Sequence, residues 1–491
     1  MITQDWLYRI FTSRHRWLAV LATLSLCVAL AAAAGYLLAE FGVIIAGAGL
    51  VAMLVGLWML RRIEMAYWAV IAVVCLLPFA SFPFDIGVTP TLLDAALGAL
   101  FLVWVLQIAT GQQREFIGTT LGMPIAAFML MALGSFVFGL THAPLTSYIL
   151  RHFAELVLSM ALFFLVVNTV RDKDRLRRIV RALIICAFIE AAVGVVLYVT
   201  AAHISRDLVI RALSALGRLG YPAGEGVLRY IRDDPTLPMR ATSTSVDPNV
   251  LGSLLNLTLA VGVPQLFARQ PLIRRRYLAP MLAVMALCLG LTISRGSLGG
   301  VAVALAVVAT LRYRRLWIVL LVALVLLLAL PQTQDYVAHF VQGLRGEDLA
   351  TQMRFGEYKD ALILIGRYPW LGVGFSGSPD IDTYIGVSNV YLLIAEEMGL
   401  IGLGGFLTVM AVFIARFWRA HRAAATNAEI EPLFWGLHAG IIGALVGGVF
   451  DHYFFNLDFH HSVTLFWLIV GLATAATEMV RRINPTVSSE I

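Results

Sequence analysis

Two polar stretches, residues 202–248 and 332–389, hold most of the side chains here that could do chemistry. The first carries Arg206, Arg211, Arg218, Arg229, Arg232 and Arg240. The second carries Arg345, Arg354, Lys359 and Arg367. Arg295 stands apart in the tight turn Thr292-Ile-Ser-Arg-Gly-Ser. A guanidinium offers a planar fork of donors that matches a phosphate, and its charge-assisted bonds are about twice as strong as neutral ones. Arg354 and Tyr358 lie one helical turn apart and can point to one place. Four histidines are candidate bases: His339 in the second stretch, and His452, His460 and His461 in the run 451–461. Glu396 and Glu397 fall one turn inside an apolar run, where a carboxylate is costly unless it faces protein. The adjacent pair His460-His461 lacks metal-ligand spacing. Cys27, Cys75, Cys186 and Cys288 all sit in apolar runs, so neither a disulfide framework nor a metal site is expected.

These residues are set in a chain that is 60% hydrophobic and 13% charged over 491 residues. Runs of about twenty apolar residues recur, each long enough to cross a bilayer. In lipid the backbone must satisfy itself, so the runs are helices. The reading is an all-α polytopic membrane protein with about 12–14 transmembrane helices and two long, partly helical extracytoplasmic loops, 202–248 and 332–389. Spans are expected near 17–38, 41–60, 65–80, 92–108, 121–140, 153–170, 179–201, 249–267, 278–293, 297–311, 316–331, 390–415, 433–450 and 462–480. The first run is expected to be a span rather than a removable signal. In the second loop, helix spacing runs from Glu347 to Gly366, with Leu349, Met353, Leu364 and Ile365 on one face. Tyr368-Pro369-Trp370 and Gly372-Val373-Gly374 then break the helix. Asp247-Pro248-Asn249 reads as a helix start.

Charge decides the orientation. With these spans, 24 of the 36 lysines and arginines fall on the face that carries both termini, clustered in short loops. The positive-inside rule makes that face cytoplasmic. The remaining 12, ten of them in the two long loops, face outward against the rule. They read either as surface helices lying on lipid headgroups or as a pocket for an anion delivered at the outer face.

Three ordered stretches carry a resemblance: Arg240-Ala-Thr-Ser-Thr-Ser-Val-Asp247-Pro248-Asn249; Thr292 to Gly299; and Arg354 through Pro369-Trp-Leu-Gly-Val-Gly374, Asn389-Val-Tyr391-Leu392 and Glu397-Met-Gly399-Leu-Ile-Gly402. In this order they resemble the bacterial O-antigen ligase and polymerase superfamily, over roughly residues 179–475. The domain reading follows: N-terminal helices 1–178, a ligase/polymerase-like membrane domain 179–480 and a cytoplasmic tail 481–491. The resemblance implies a glycosyltransferase of the bacterial inner membrane, with its active site on the outer face. It would move a glycan from an undecaprenyl-diphosphate carrier to an acceptor hydroxyl without metal or cofactor. The implied partners are the donor lipid, an acceptor lipid-linked glycan, membrane lipid, and a flippase and chain-length regulator of the same pathway; nucleic acid is not among them.

Carried onto this sequence, the resemblance makes Arg240, Arg295 and Arg354 ligands of the donor diphosphate, with Arg218 and Arg367 as further candidates. Tyr358, Asn389 and Tyr391 are candidates for the glycan. His452, Glu397 and His339 are candidates for the catalytic proton transfer. Ligases of the family usually carry histidine where this chain has Ser388. That departure, and more outward arginines than one diphosphate requires, favour a polymerase of lipid-linked repeat units over a ligase. A polysaccharide or lipid transporter is the rival from another class, but no internal repeat and few midplane charges support it. A binding scaffold would share the arginines and need no base.

Overall fold

The structure, a computed structural model, describes residues 62–83, 89–113, 115–231, 234–329, 334–346, 349–377 and 386–483, with six isolated positions between 24 and 39. The spans expected at 17–38 and 41–60, residues 484–491 and Arg232 lie outside the described residues. Within the described residues the chain is almost wholly helical, and eight helices are long and apolar enough to cross a membrane. This is an all-α polytopic membrane protein.

The chain divides into two units. Residues 1–67 and 98–116 form the first, where Trp104 Nε1 donates to Gln113 Oε1 at 3.1 Å and packs edge-on to Phe101. Residues 68–97 and 117–491 form the second, which holds every candidate site residue. Two helices run through both, α1 (Ile63–Leu76) and α2 (Leu92–Ala109). The second unit continues with α3 (Gly122–Gly139), α4 (Ser147–Thr169) and α5 (Lys173–His203). Its first long loop contains α6 (Arg206–Ser214) and an antiparallel ribbon of β1 (Arg229–Tyr230) and β2 (Met239–Arg240). Then come α7 (Pro248–Gly262), α8 (Arg275–Thr292), α9 (Arg295–Leu311) and α10 (Leu316–Ala329). The second long loop holds α11 (Gln334–Leu344) and α12 (Leu349–Arg367). The chain closes with α13 (Val390–Ala424), α14 (Glu431–Gly447) and α15 (His460–Ile483).

Helices α7, α9 and α14 form the seam that fixes the site. Small residues let their backbones approach closely, as interfaces in lipid require. A Cβ on Gly300 of α9 would stand 2.5 Å from Gly443 O of α14, and Asn256 of α7 bridges the seam with Nδ2 donating to that same carbonyl at 3.1 Å. Any larger side chain there would part the helices and misalign their ends.

The second loop is fixed by a kink. Inside α13, Gly399 adopts φ 65°, where a side chain is strained, and the helix is interrupted. The interruption frees carbonyls that the preceding loop takes up: Val373 N donates to Glu396 O and Gly374 N to Glu397 O, both at 2.9 Å. Leu400 N donates to Pro369 O at 2.7 Å. The Pro369–Gly374 motif is therefore a backbone stitch into a broken helix. The inner face of α12 is made by Ala361, which packs with Val387 and Leu393, and by the buried Leu364. Met353, expected on that face, is 61% exposed, because the neighbouring elements cover only the later turns of α12.

Candidate functional site

Three helix ends meet where the outward arginines were expected. Helix α7 starts at Pro248 and is capped by Asp247, whose Oδ1 accepts from Asn249 N at 2.7 Å and Val250 N at 3.1 Å. Helix α9 starts at Arg295, one residue after the Ser294 cap position. Helix α13 starts after Asn389, and Val390 N donates to Gly448 O at 2.8 Å, beside the end of α14. Orphan N–H groups and the helix dipole make such ends favourable to anions. The turns leading into them are strained: Ser243, Val246 and Ile293 all have positive φ, unusual for these side chains.

Arg240 ties two of the ends together. Its Nε donates to Thr292 O at 2.8 Å and its NH2 group to Asn249 Oδ1 at 2.6 Å. Arg354 reaches in from α12 and pairs with Asp451 Oδ1 at 3.2 Å. Gly296, the residue after Arg295, lies against Asp451: a Cβ there would stand 2.8 Å from Asp451 Oδ2. Asp451 is thus a shared carboxylate, acted on by Arg354, Arg240 and Arg295 and repelled by Asp247. Burial pushes its pKa up to about 7, against the pull of the three arginines. Burial also lowers the pKa of Arg240, with Asp247, Tyr453 and Asp451 opposing the shift. Tyr453 completes the cluster, its hydroxyl donating to Asp247 Oδ1 at 3.2 Å.

His452 follows Asp451. Its Nδ1 lies 3.0 Å from Val387 O, and a carbonyl can only accept, so Nδ1 carries the proton. Nε2 is left with the lone pair. Burial lowers the imidazole pKa, with Glu357 and Asp247 opposing and Arg354 adding to the shift. The ring is therefore neutral near pH 7, the form a base needs.

The structure distributes the other expected site residues differently. Arg218, on the turn after α6, and Arg367, on the last turn of α12, are both exposed and are not among the principal charges acting on Asp451. Tyr358 stands near the cluster, its hydroxyl donating to Val449 O at 3.3 Å. Asn389 uses Oδ1 to cap α13, accepting from Tyr391 N and Leu392 N, and Nδ2 to donate to Val449 O at 2.9 Å. Tyr391 donates to Leu445 O at 2.7 Å. Both side chains join α13 to the α14 end, and the single donor of Tyr391 is spent there. Glu397 is buried at the kink, and its charged neighbours are Glu396 and Asp458 rather than the arginines. His339 falls in α11, and its side chain lies outside the described residues. Asp451, the centre of the cluster, was not singled out by the sequence reading. Its signal was faint: an aspartate just before a candidate base, at the end of a glycine-rich helix.

Residues 280–407 match the family model described as O-antigen ligase. That match bears out, over a segment running from α8 into α13, the resemblance to the O-antigen ligase and polymerase superfamily. A second similarity is to a protein named probable peptidoglycan glycosyltransferase FtsW from Thiomonas intermedia (strain K12), 33% identical over 94 residues. It covers 18% of this chain and 21% of that relative, so the chain matches only about a fifth of the relative's length.

Proposed function

We propose that this chain polymerises lipid-linked oligosaccharide repeat units by inverting glycosyl transfer from an undecaprenyl-diphosphate donor at the outer face of the bacterial inner membrane. The observation that carries this reading is the convergence of Arg240, Arg295 and Arg354 on Asp451, directly beside His452. Three guanidiniums around one buried carboxylate form a receptor for a multiply charged anion, and Asp451 holds it in the donor's absence.

In the transfer, the acceptor hydroxyl attacks the anomeric carbon as the bond to the diphosphate oxygen breaks. The leaving diphosphate gains charge at that oxygen, and the fixed arginines and helix ends stabilise it where it develops. His452 Nε2 accepts the hydroxyl proton. Holding donor and acceptor in line contributes the orientation term. The carrier leaves as polyprenyl diphosphate, with its whole glycan now on the acceptor.

The polymerase reading rests on the acceptor. Ligases of the family usually place a histidine at the position of Ser388. Here the imidazole of His452 bonds to the carbonyl of Val387, the residue before Ser388. The name of the matching family model favours the second reading, a ligase that transfers the glycan once to lipid A core or another terminal acceptor. One assay separates them: the purified protein with a single lipid-diphosphate-linked repeat unit and no other acceptor. Products growing by whole repeats support polymerisation, and product only after a core-type acceptor is added makes the chain a ligase. Arg295→Ala is the control in both arms and should abolish product, with Arg295→Lys recovering little because lysine lacks the bidentate fork. Full activity of Arg295→Ala removes the diphosphate clamp.

A further inference from the structure

A second charged cluster lies apart from the arginine centre, at the ends of α2, α4 and α15. Asp94 lies in the first turn of α2, Arg151, His152 and Glu155 in the first turns of α4, and His460 at the start of α15. One ligand atom each from Asp94, Glu155 and His460 fall within 4.8 Å of one another. Glu155 and His460 are 5% exposed, so water contributes little to either.

Arg151 uses one oxygen of each carboxylate. Its Nε donates to Glu155 Oε1 at 2.8 Å and its NH2 group to Asp94 Oδ2 at 3.1 Å, where Thr91 N also donates. This holds both carboxylates in fixed orientation and leaves Oε2 of Glu155 facing the histidines. Glu155 Oε2 lies 3.0 Å from His152 Nδ1 and 3.5 Å from His460 Nδ1. Glu155 Oε2 is buried and meets these two imidazoles, while the buried Nε2 of His460 has no hydrogen-bond partner. With both imidazoles neutral, the carboxylate oxygen and the ring nitrogens can turn lone pairs to one cation between them. Two carboxylates against one guanidinium also leave one negative charge uncompensated in an apolar setting, which is costly.

We propose that Asp94, Glu155 and His460, with His152 beside them, bind a divalent transition metal of the Zn2+ class. A mixed set of carboxylate and imidazole donors suits that class, whereas Mg2+ and Ca2+ prefer oxygen alone. Arg151 is the outer partner that orients the two carboxylates. The ion joins the ends of three helices and stands apart from the transfer chemistry, so its test does not depend on the proposed function.

The full chain in detergent, stripped with EDTA and reloaded with Zn2+, is assayed for bound metal after gel filtration. About one Zn2+ per chain is expected, with a melting temperature that rises on loading and falls with chelator. Co2+ in its place should give visible ligand-field absorption. Glu155→Gln and Asp94→Asn, which keep shape, and His460→Ala should each weaken binding by at least ~10-fold and lose the Co2+ spectrum. His203→Ala, outside the cluster, should bind as the parent does. Wild-type chain that holds no metal after reloading, or variants that bind as the parent does, overturns the site and leaves a cluster neutralised by a proton.

Discussion

Asp451→Asn should remove the pH dependence of donor binding. In the proposed wild-type site, an incoming diphosphate meets a carboxylate paired with Arg354 and drawn by the charges of Arg240 and Arg295. Two like charges ~6 Å apart at an effective dielectric of ~20 repel by about 2.8 kcal/mol. The protein can avoid this repulsion by protonating Asp451 first. With a pKa of about 7, that costs almost nothing at pH 6. It costs about 0.4 kcal/mol at pH 7, about 1.4 kcal/mol at pH 8 and about 2.7 kcal/mol at pH 9. Near pH 9 the two costs meet. Wild-type affinity should therefore fall about 2-fold from pH 6 to pH 7, about 10-fold by pH 8 and about 50-fold by pH 9, levelling off at about 100-fold. The sign follows from the acid: anion binding favours the protonated, neutral form, so binding takes up a proton and weakens as pH rises. A short-chain polyprenyl-diphosphate glycan is a suitable probe, because both its phosphates are esterified and remain ionised across the range. Thermophoresis from pH 6 to 9 reads the affinity, and the asparagine variant should give a flat profile. A flat wild-type profile, or a variant that parallels the wild type, refutes the account of Asp451 as the anion's placeholder.

Two further outcomes follow from the geometry. His452→Asn should lower kcat by roughly 100-fold or more if its Nε2 takes the acceptor proton. Because burial lowers the imidazole pKa, the wild-type acidic limb should lie below pH 6.5, with activity lost as pH falls through it, and a pH profile of the variant that keeps the limb assigns it elsewhere. Gly399→Ala should destabilise the protein by more than about 2 kcal/mol, since its Cβ would stand 2.2 Å from Trp370 O at a φ of 65°; a melting temperature equal to the parent's would show that the kink does not hold the loop.

Much of this architecture was legible in the sequence because lipid leaves the backbone few choices. Expected spans such as 121–140 and 316–331 correspond to Gly122–Gly139 and Leu316–Ala329. The helix start at Asp247-Pro248 was legible for the same local reason, an acceptor side chain followed by a residue that needs no donor. What periodicity could not give was anything carried by contact between distant segments. Glu397 read as a candidate for chemistry, whereas the backbone around it serves the kink that receives Val373 and Gly374. Asn389 read as a glycan contact, whereas it caps α13 and grips Val449 O. The pair His460-His461 gave no ligand spacing, since the residues gathered around His460 come from α2 and α4. Asp451 had only the faint signal of an aspartate before a candidate base, because its meaning comes from three arginines on three other segments.

The same carboxylate explains how those arginines can be held together before any substrate arrives. Three guanidiniums converging near one point repel one another pairwise by kilocalories at the dielectric of a protein interior, and the starts of α7, α9 and α13 add partial positive charge. A fold that closed this site with no anion would be under steady electrostatic load. Asp451 relieves the load while being weakly committed itself, since burial keeps its pKa near the working pH. A stronger acid in its place would hold the arginines against the diphosphate, and a neutral residue would leave them to spread. The buried aspartate is therefore suited to a receptor that must stay assembled when empty and yield when a doubly charged ligand enters. The glycine seam between the first turns of α9 and the last turns of α14 sets how close Asp451 stands to the start of α9, so the proposed anion site would be tuned by helix packing as well as by its own charges.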